Sequence, residues 1–236
     1  MAKRIEIGFL EALFGLLLSP ASVVEHLFEK EDPPFVFTFF LLLIITIFVP
    51  MGVQVVALDL LAFRREFIIG CLLAVFFTIL IFALFEGIFL RVVGFSIQVN
   101  QMLSAIAYSL APLVVLMWVF MLLNYFFNGG LTIITIILTE YGELHPKLRL
   151  TIPWFFGVAQ VGMLIVYYTC LKAMGQLHPS TAMMVTVVSV IPLYFSGIFA
   201  LAIAESAVPG TVSLISQGIP GAGKLEEFVM QVLSWF

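Results

Sequence analysis

An all-α, polytopic transmembrane helical bundle is the fold class this sequence predicts, and three features predict it. Hydrophobic residues make up 63% of the 236-residue chain and charged residues 10%, where an ordinary soluble domain is about a quarter charged. The stretch Gln98–Phe127 reads QVNQMLSAIAYSLAPLVVLMWVFMLLNYFF and holds no charge. At about 1.5 Å rise per residue, twenty such residues cross a hydrocarbon core of about 30 Å. Four more long apolar stretches flank it, so five crossings are expected, this one in the middle.

The elements follow in order. Residues 4–18 (RIEIGFLEALFGLLL) are too short to span and carry Arg4, Glu6 and Glu11, as an interfacial helix in the headgroup layer would. Ser19-Pro20 restarts the chain as N-cap and first helical residue. In the helix that follows, Val23, Leu27 and Phe28 share one face while Glu25 and Glu29 point away. Glu31-Asp32-Pro33-Pro34 ends it, so residues 1–34 form an N-terminal pair of amphipathic helices. They either lie in the headgroups or pack as surface helices on the bundle.

The first span is expected over residues 35–58, with Pro50 and Gly52 loosening its last third. A turn at Asp59–Glu66, bearing Arg64 and Arg65, leads to the second span, 67–90, and Arg91 marks its exit. The third, 103–127, ends at Asn128-Gly129-Gly130. Leu131–Leu138 is apolar but short, a half-buried interfacial helix, and Glu140–Arg149 reads as a polar loop. Pro153 suits the first turn of the fourth span, 153–174, and Trp154 the depth that interfacial aromatics favour. The fifth, 180–204, contains Pro192, which predicts a kink. The transmembrane unit is thus 35–204. The remainder, 205–236, holds the Gly/Ser/Pro-rich linker Pro209–Gly223 and an amphipathic helix, Lys224–Phe236, with Leu225, Phe228, Val229 and Val232 on one side. No internal repeat is visible, so the inverted-repeat signature of many transporters is missing.

Charge and cysteine usage narrow the function. A scattered net charge of −4 argues against a nucleic-acid surface. Cys71 and Cys170 both lie inside apolar spans, where free thiols behave as small hydrophobes; neither a disulfide framework nor a thiolate metal site is expected. Lys3 and Arg4 precede an apolar run, but no small-x-small cleavage site follows before Pro20, so a retained N-terminal segment is the reading. Lys3, Arg4, Lys30, Arg91 and Lys172 fall on the N-terminal side, and Arg64, Arg65, Lys147, Arg149 and Lys224 on the other. The positive-inside rule is therefore tied.

Most candidate motifs have a plain structural reading. Gly218–Lys224 fits the spacing of a phosphate-binding loop, yet Leu225 stands where a Ser or Thr is needed and no strand precedes it; a flexible linker explains the glycines. His26, His145 and His178 are far apart and read as solvent-facing. No serine has a paired base, so no nucleophilic chemistry is supported: the protein is read as non-enzymatic, without metal, and without cofactor other than bound lipid. Ser196, Ala200 and Ala204 repeat every four residues, as do Ala107 and Ala111. Such ridges let helices approach closely, within the chain or at a seam between copies.

Two sets of polar residues stand out. Glu86 lies inside the second span, about 7 Å before Arg91 at helical rise. An ionised carboxylate at mid-bilayer costs about 2.5–3.5 kcal/mol on insertion scales. It is either a snorkelling carboxylate partly neutralised by Arg91, or a polar anchor facing Tyr108 or a partner protein. Gln54, Asp59, Asn124, Gln160 and Glu205 fall towards the face opposite the N-terminus. They either line a polar vestibule or are the wet ends of separate helices.

The chain resembles the Yip (Ypt-interacting-protein) family of five-span membrane proteins, over about Leu16 to Leu201. The similarity rests on LLLSPASVVEHLFE, on Asn100-Gln101-Met102-Leu103 leading to Ala107-Tyr108-Ser109 and Pro112, on the Gly-linked exit of the third span, and on Leu177–Val185. It implies an all-helical bundle with a cytoplasmic N-terminus; Asn100, Tyr108 and Pro112 join Glu86 and Arg91 as candidate polar or partner sites. Eukaryotic members act in vesicle trafficking with Rab-type GTPases. The long hydrophilic N-terminal region and its Asp-Leu-Tyr-Gly-Pro type motif are missing, with only Ser19-Pro20 in a comparable place, which counts against GTPase binding. The resemblance is closer to the short prokaryotic members and implies a plasma (inner) membrane location. The expected function is a membrane-organising or adaptor component binding lipids or other membrane proteins, or a second copy. A transporter or lipid-translocating protein using the vestibule is the alternative.

Overall fold

The computed structural model describes residues 7–29, 33–57, 61–92, 94–95, 97–128, 146–175, 177–212 and 229–231. Among these, every long element is a helix: α1 (Phe9–Leu18), α2 (Pro20–Phe28), α3 (Val36–Ala57), α4 (Leu61–Val92), α5 (Val99–Ser109), α6 (Ala111–Asn128), α7 (Pro146–Gly175), α8 (Pro179–Val188) and α9 (Val190–Ala207). Four segments are long and apolar enough to cross a membrane: Ile69–Val92, Val99–Leu123, Gly157–Met174 and Pro179–Ala207. They coincide with the second to fifth expected spans. The first expected span falls on α3, 22 residues without a charge; its apolar portion Val36–Thr46, where side chains are described, is by itself shorter than a crossing. Val99–Leu123 is 56% buried over its most apolar stretch, against 22–33% for the other three. It is the pillar of the bundle, with α1, α3, α4 and α7 packed against it.

Helix ends run beyond the oil. α4 starts at Leu61, so Arg64 and Arg65, expected in a turn, are helical. α7 starts at Pro146, so Lys147 and Arg149 are helical too, and Pro153 sits inside the helix rather than in its first turn. Hydropathy marks where hydrocarbon ends. Lys, Arg and Glu are good helix formers and carry the helix onward into water.

Two spans are broken, each just ahead of a proline. The third breaks at Leu110, between α5 and α6, and the fifth at Ser189, between α8 and α9. Proline has no N–H to donate, and its ring clashes with the carbonyl four residues back; for Pro112 and Pro192 those carbonyls belong to Tyr108 and Val188. The kink expected at Pro192 therefore opens at Ser189.

Small residues set how closely the helices pack. Ser196, Ala200 and Ala204 are all buried, and α9 against α4 is the most extensive helix pairing. Ala107 and Ala111 are also fully buried. The ridges serve packing within the chain. A Cβ on Gly162 of α7 would stand 2.9 Å from Pro112 Cβ, so that glycine admits the kinked pillar. Trp118 Nε1 donates to Thr46 Oγ1 at 2.9 Å and ties α6 to α3. Most other hydroxyls in the spans, such as Ser104, Thr186 and Ser196, donate to carbonyls of their own helix, which keeps polar hydrogens away from lipid.

The N-terminal pair packs on the bundle. Ala12, Leu13 and Leu16 of α1 and Val23, Val24 and Leu27 of α2 are buried in one core with Phe39, Tyr108 and Leu171. Phe28 packs against it, and Glu25 and Glu29 point outward as expected. The opposite face of α1 is apolar as well: Leu10, Phe14 and Leu18 are exposed.

At the other end, Glu205 accepts from the backbone N–H groups of Gly210 and Val212, each at 2.7 Å. Gly210, at φ 91°, turns the chain. The turn brings Val212 against Ile198 and Ala202 of α9, where Val229 also packs. Of the expected tail helix only residues 229–231 are described, and Val229 faces α9. Asp59, Leu131–Leu138, His145 and Gly218–Lys224 lie outside the described residues.

Candidate functional site

Glu86 is the feature that packing alone does not account for. It sits on α4 with no solvent exposure. Ser189 Oγ, at the break between α8 and α9, lies within hydrogen-bond distance of Glu86 Oε1 and of the Val185 carbonyl, its one hydroxyl hydrogen shared between the two acceptors. Tyr167 of α7 lies beside the pair, 5% exposed, its ring against Phe82 of α4. Glu86 Oε2 and Tyr167 Oη are both buried and lie close to one another, without a hydrogen bond of full geometry among the described residues. At helical rise the three groups lie about 9–15 Å from the same ends of their spans, so the cluster belongs to the half of the bundle on the N-terminal side.

This arrangement corrects the snorkelling expectation for Glu86 and its expected contact with Tyr108. It does not snorkel: Arg91 is exposed, and among the described residues no ion pair joins the two. It does not face Tyr108 either; its neighbours are Ser189 and Tyr167. Helix period decides this, since Glu86 shares a stripe with Phe82 and Leu90, which are also buried, and that stripe meets the fifth span at its break.

An intramembrane carboxyl with an unmet oxygen is costly, and such groups mark function by default. The cost makes a prediction. Glu86→Leu leaves Ser189 Oγ bonded to Val185 and removes the orphan oxygen, so it is expected to raise stability by about 1–3 kcal/mol. Thermal unfolding in detergent checks it, and a lower melting temperature would mean that Oε2 has a partner holding the bundle together.

The other expected site residues separate into two groups. Tyr108 and Pro112 are buried in the pillar and present no surface to a partner. Tyr108 donates to the Pro34 carbonyl and packs its ring on Phe28 and Phe39. Arg91 and Asn100 are exposed at the two ends of the link between α4 and α5. Asn100 lies in the first turn of α5, beside a capping box formed by Gln98 and Gln101. Of the vestibule set, Gln160 is exposed, and both Glu205 oxygens are engaged by backbone amides. The side chains of Gln54 and Asn124, like Asp59, lie outside the described residues.

Ser189 and Tyr167 were not singled out from sequence. The one available signal for Ser189 was its place three residues before Pro192, a residue that can open a helix. Tyr167 carried none.

The chain matches no family model, no curated protein and no solved structure. Fold and site nevertheless define a class. This is an integral membrane protein of the all-helical, polytopic kind, with a carboxyl sealed between three helical segments.

Proposed function

We propose that the chain is a non-catalytic membrane-organising component of short prokaryotic Yip-like type, crossing the plasma membrane five times with its N-terminus in the cytoplasm. In this reading α3 is the first crossing. The observation that carries the proposal is the two-sided helix α1. One side is locked into the bundle through Ala12, Leu13 and Leu16. The other presents Leu10, Phe14 and Leu18, exposed by 61, 45 and 80%, as an apolar ridge about 12 Å long at helical rise. Such a ridge seats about 5–10 Å into the boundary between headgroups and acyl chains. Because α1 cannot swing free, its insertion displaces lipid at a fixed place beside the bundle.

Exchanging Leu10, Phe14 and Leu18 for serine tests this. The variant is expected to insert and melt like the parent protein, since all three side chains are exposed and outside the buried core. Reconstituted vesicles that the parent narrows or tubulates are expected to keep the shape of protein-free vesicles with the variant. A parent protein without effect on vesicle shape would end the proposal.

Transport or lipid translocation is the second reading, favoured by the two proline-broken spans, a geometry that transporters use at their binding sites. Vesicles showing no flux of any solute or lipid would remove it.

A further inference from the structure

Behind the Glu86–Ser189 hydrogen bond, on its lipid side, α4 and the kinked fifth span part to leave a cavity. Its volume is about 380 Å³, and its walls are Phe85 and Phe89 on one side and Val188, Ile191, Pro192, Phe195 and Phe199 on the other. The cleft opens beside the break at Ser189, with Pro192 in its wall. The Glu86–Ser189 bond keeps the cleft from splitting further: Glu86 lies between Phe85 and Phe89 in sequence, and Ser189 between Val188 and Ile191. One hydrogen bond thus ties the two walls together at the back.

We propose that this cleft holds one acyl chain of a bilayer lipid. The occupant must come from hydrocarbon, since every lining residue lies within the Ile69–Val92 or Pro179–Ala207 span. Phe85, Ile191 and Phe195 are themselves 45, 58 and 46% exposed, so the mouth opens outward from the bundle. A partner helix is about 10–12 Å across with its side chains and does not enter a space of this size, whereas a single hydrocarbon chain does. The lining is carbon throughout its side chains, four of them phenylalanine, and offers a headgroup nothing to bond. The chain therefore seats with its headgroup outside the cleft. A preformed cleft holds its guest by close contact that a flat outer helix face does not provide. This inference needs only that the two spans face lipid. It is independent of the role proposed for α1, and either can fail alone.

The test uses vesicles of phosphatidylethanolamine and phosphatidylglycerol with a trace of phosphatidylcholine carrying a diazirine on one acyl chain. After illumination, the peptides around Phe85–Phe89 and Val188–Phe199 are expected to carry at least about ten times the label of the outward face of α7 near Val158 and Val161, the factor that corresponds to about 1.4 kcal/mol of preference. Ile191→Trp fills the cleft from a lipid-exposed position and is expected to reduce that label to the level on α7. Val161→Trp, on the outward face of α7, is expected to leave it unchanged. Uniform label around the bundle, or full label in Ile191→Trp, would overturn the proposal. Loss of label from these peptides at protein densities where the chain self-associates would also overturn it and assign the cleft to a second copy.

Discussion

Tyr108→Ala is expected to destabilise the bundle by about 3–5 kcal/mol, the range for removing a large aromatic from a closed core. Tyr108 is fully buried and stands near the end of α5, against α2 and α3. Its ring meets Phe28 of α2 and Phe39 of α3 edge-on at 5.8 and 5.4 Å. Phe9 of α1 continues the cluster to Phe39 and Phe35. Each such pair is worth about 0.5–1.5 kcal/mol beyond area burial, and in a membrane, where burial from lipid gains little, packing of this kind carries association. The hydroxyl has a separate task. It donates to the carbonyl of Pro34, next to Phe35, which sits at φ 68°. A left-handed phenylalanine costs about 1–3 kcal/mol and persists only where its surroundings hold it.

The two contributions can be read apart. Tyr108→Phe keeps the ring and removes the donor, and is expected to cost about 1–3 kcal/mol for the carbonyl left unmet. Thermal melting in detergent reports both variants. Proteolysis near residues 33–35 is expected to rise in Tyr108→Phe before global melting changes much. A Tyr108→Ala protein that melts with the parent would show that the aromatic cluster does not hold the N-terminal helices on the bundle.

The second large effect is at Gly70. A methyl there would stand 2.2 Å from Thr211 Oγ1, with Thr211 Cγ2 at 2.7 and Cβ at 3.0 Å. Thr211 cannot turn away, because it is β-branched and its hydroxyl donates to the Val208 carbonyl. Gly70→Ala must therefore push α4 away from the turn that Glu205 organises, at a cost of about 1–3 kcal/mol. Thr211→Gly removes every atom in the way, so the double variant is expected to recover most of the loss relative to Thr211→Gly alone. Melting temperatures of the four proteins give the coupling. Equal losses in both backgrounds would mean that the C-terminal turn does not rest on Gly70.

Several features were legible without coordinates because each is imposed locally. A long apolar run with at most a charge or two needs a solvent of oil, which located Ile69–Val92, Val99–Leu123, Gly157–Met174 and Pro179–Ala207. Pro192 cannot donate to Val188, which pointed to a kink in the fifth span, although Pro50 and Pro153, with the same chemistry, sit inside unbroken helices. Pro112 carried the same signal for the break at Leu110, but it was read as part of a motif and not as a kink. Charged helix ends were misread as turns around Arg64 and Lys147, because hydropathy reports the edge of the hydrocarbon and not the last helical hydrogen bond.

What remained illegible was which way each span faces. In water an amphipathic pattern separates inside from outside, and in α2 it did so correctly: Val23 and Leu27 are buried and Glu25 and Glu29 are out. On α4 the buried stripe Phe82, Glu86, Leu90 and the lipid-facing stripe Leu84, Ile88, Val92 are alike in hydrophobicity except for Glu86 itself. Sequence alone determined the medium and the helices, since these depend on chain chemistry within a few residues, and of the prolines only Pro192 was placed correctly at a break. Only the tertiary structure decided that Glu86 meets Ser189 and Tyr167 and that a cleft opens beside them. Oil solvates an apolar face as well as another helix does, so contacts between distant segments, and not hydropathy, choose the face that turns inward.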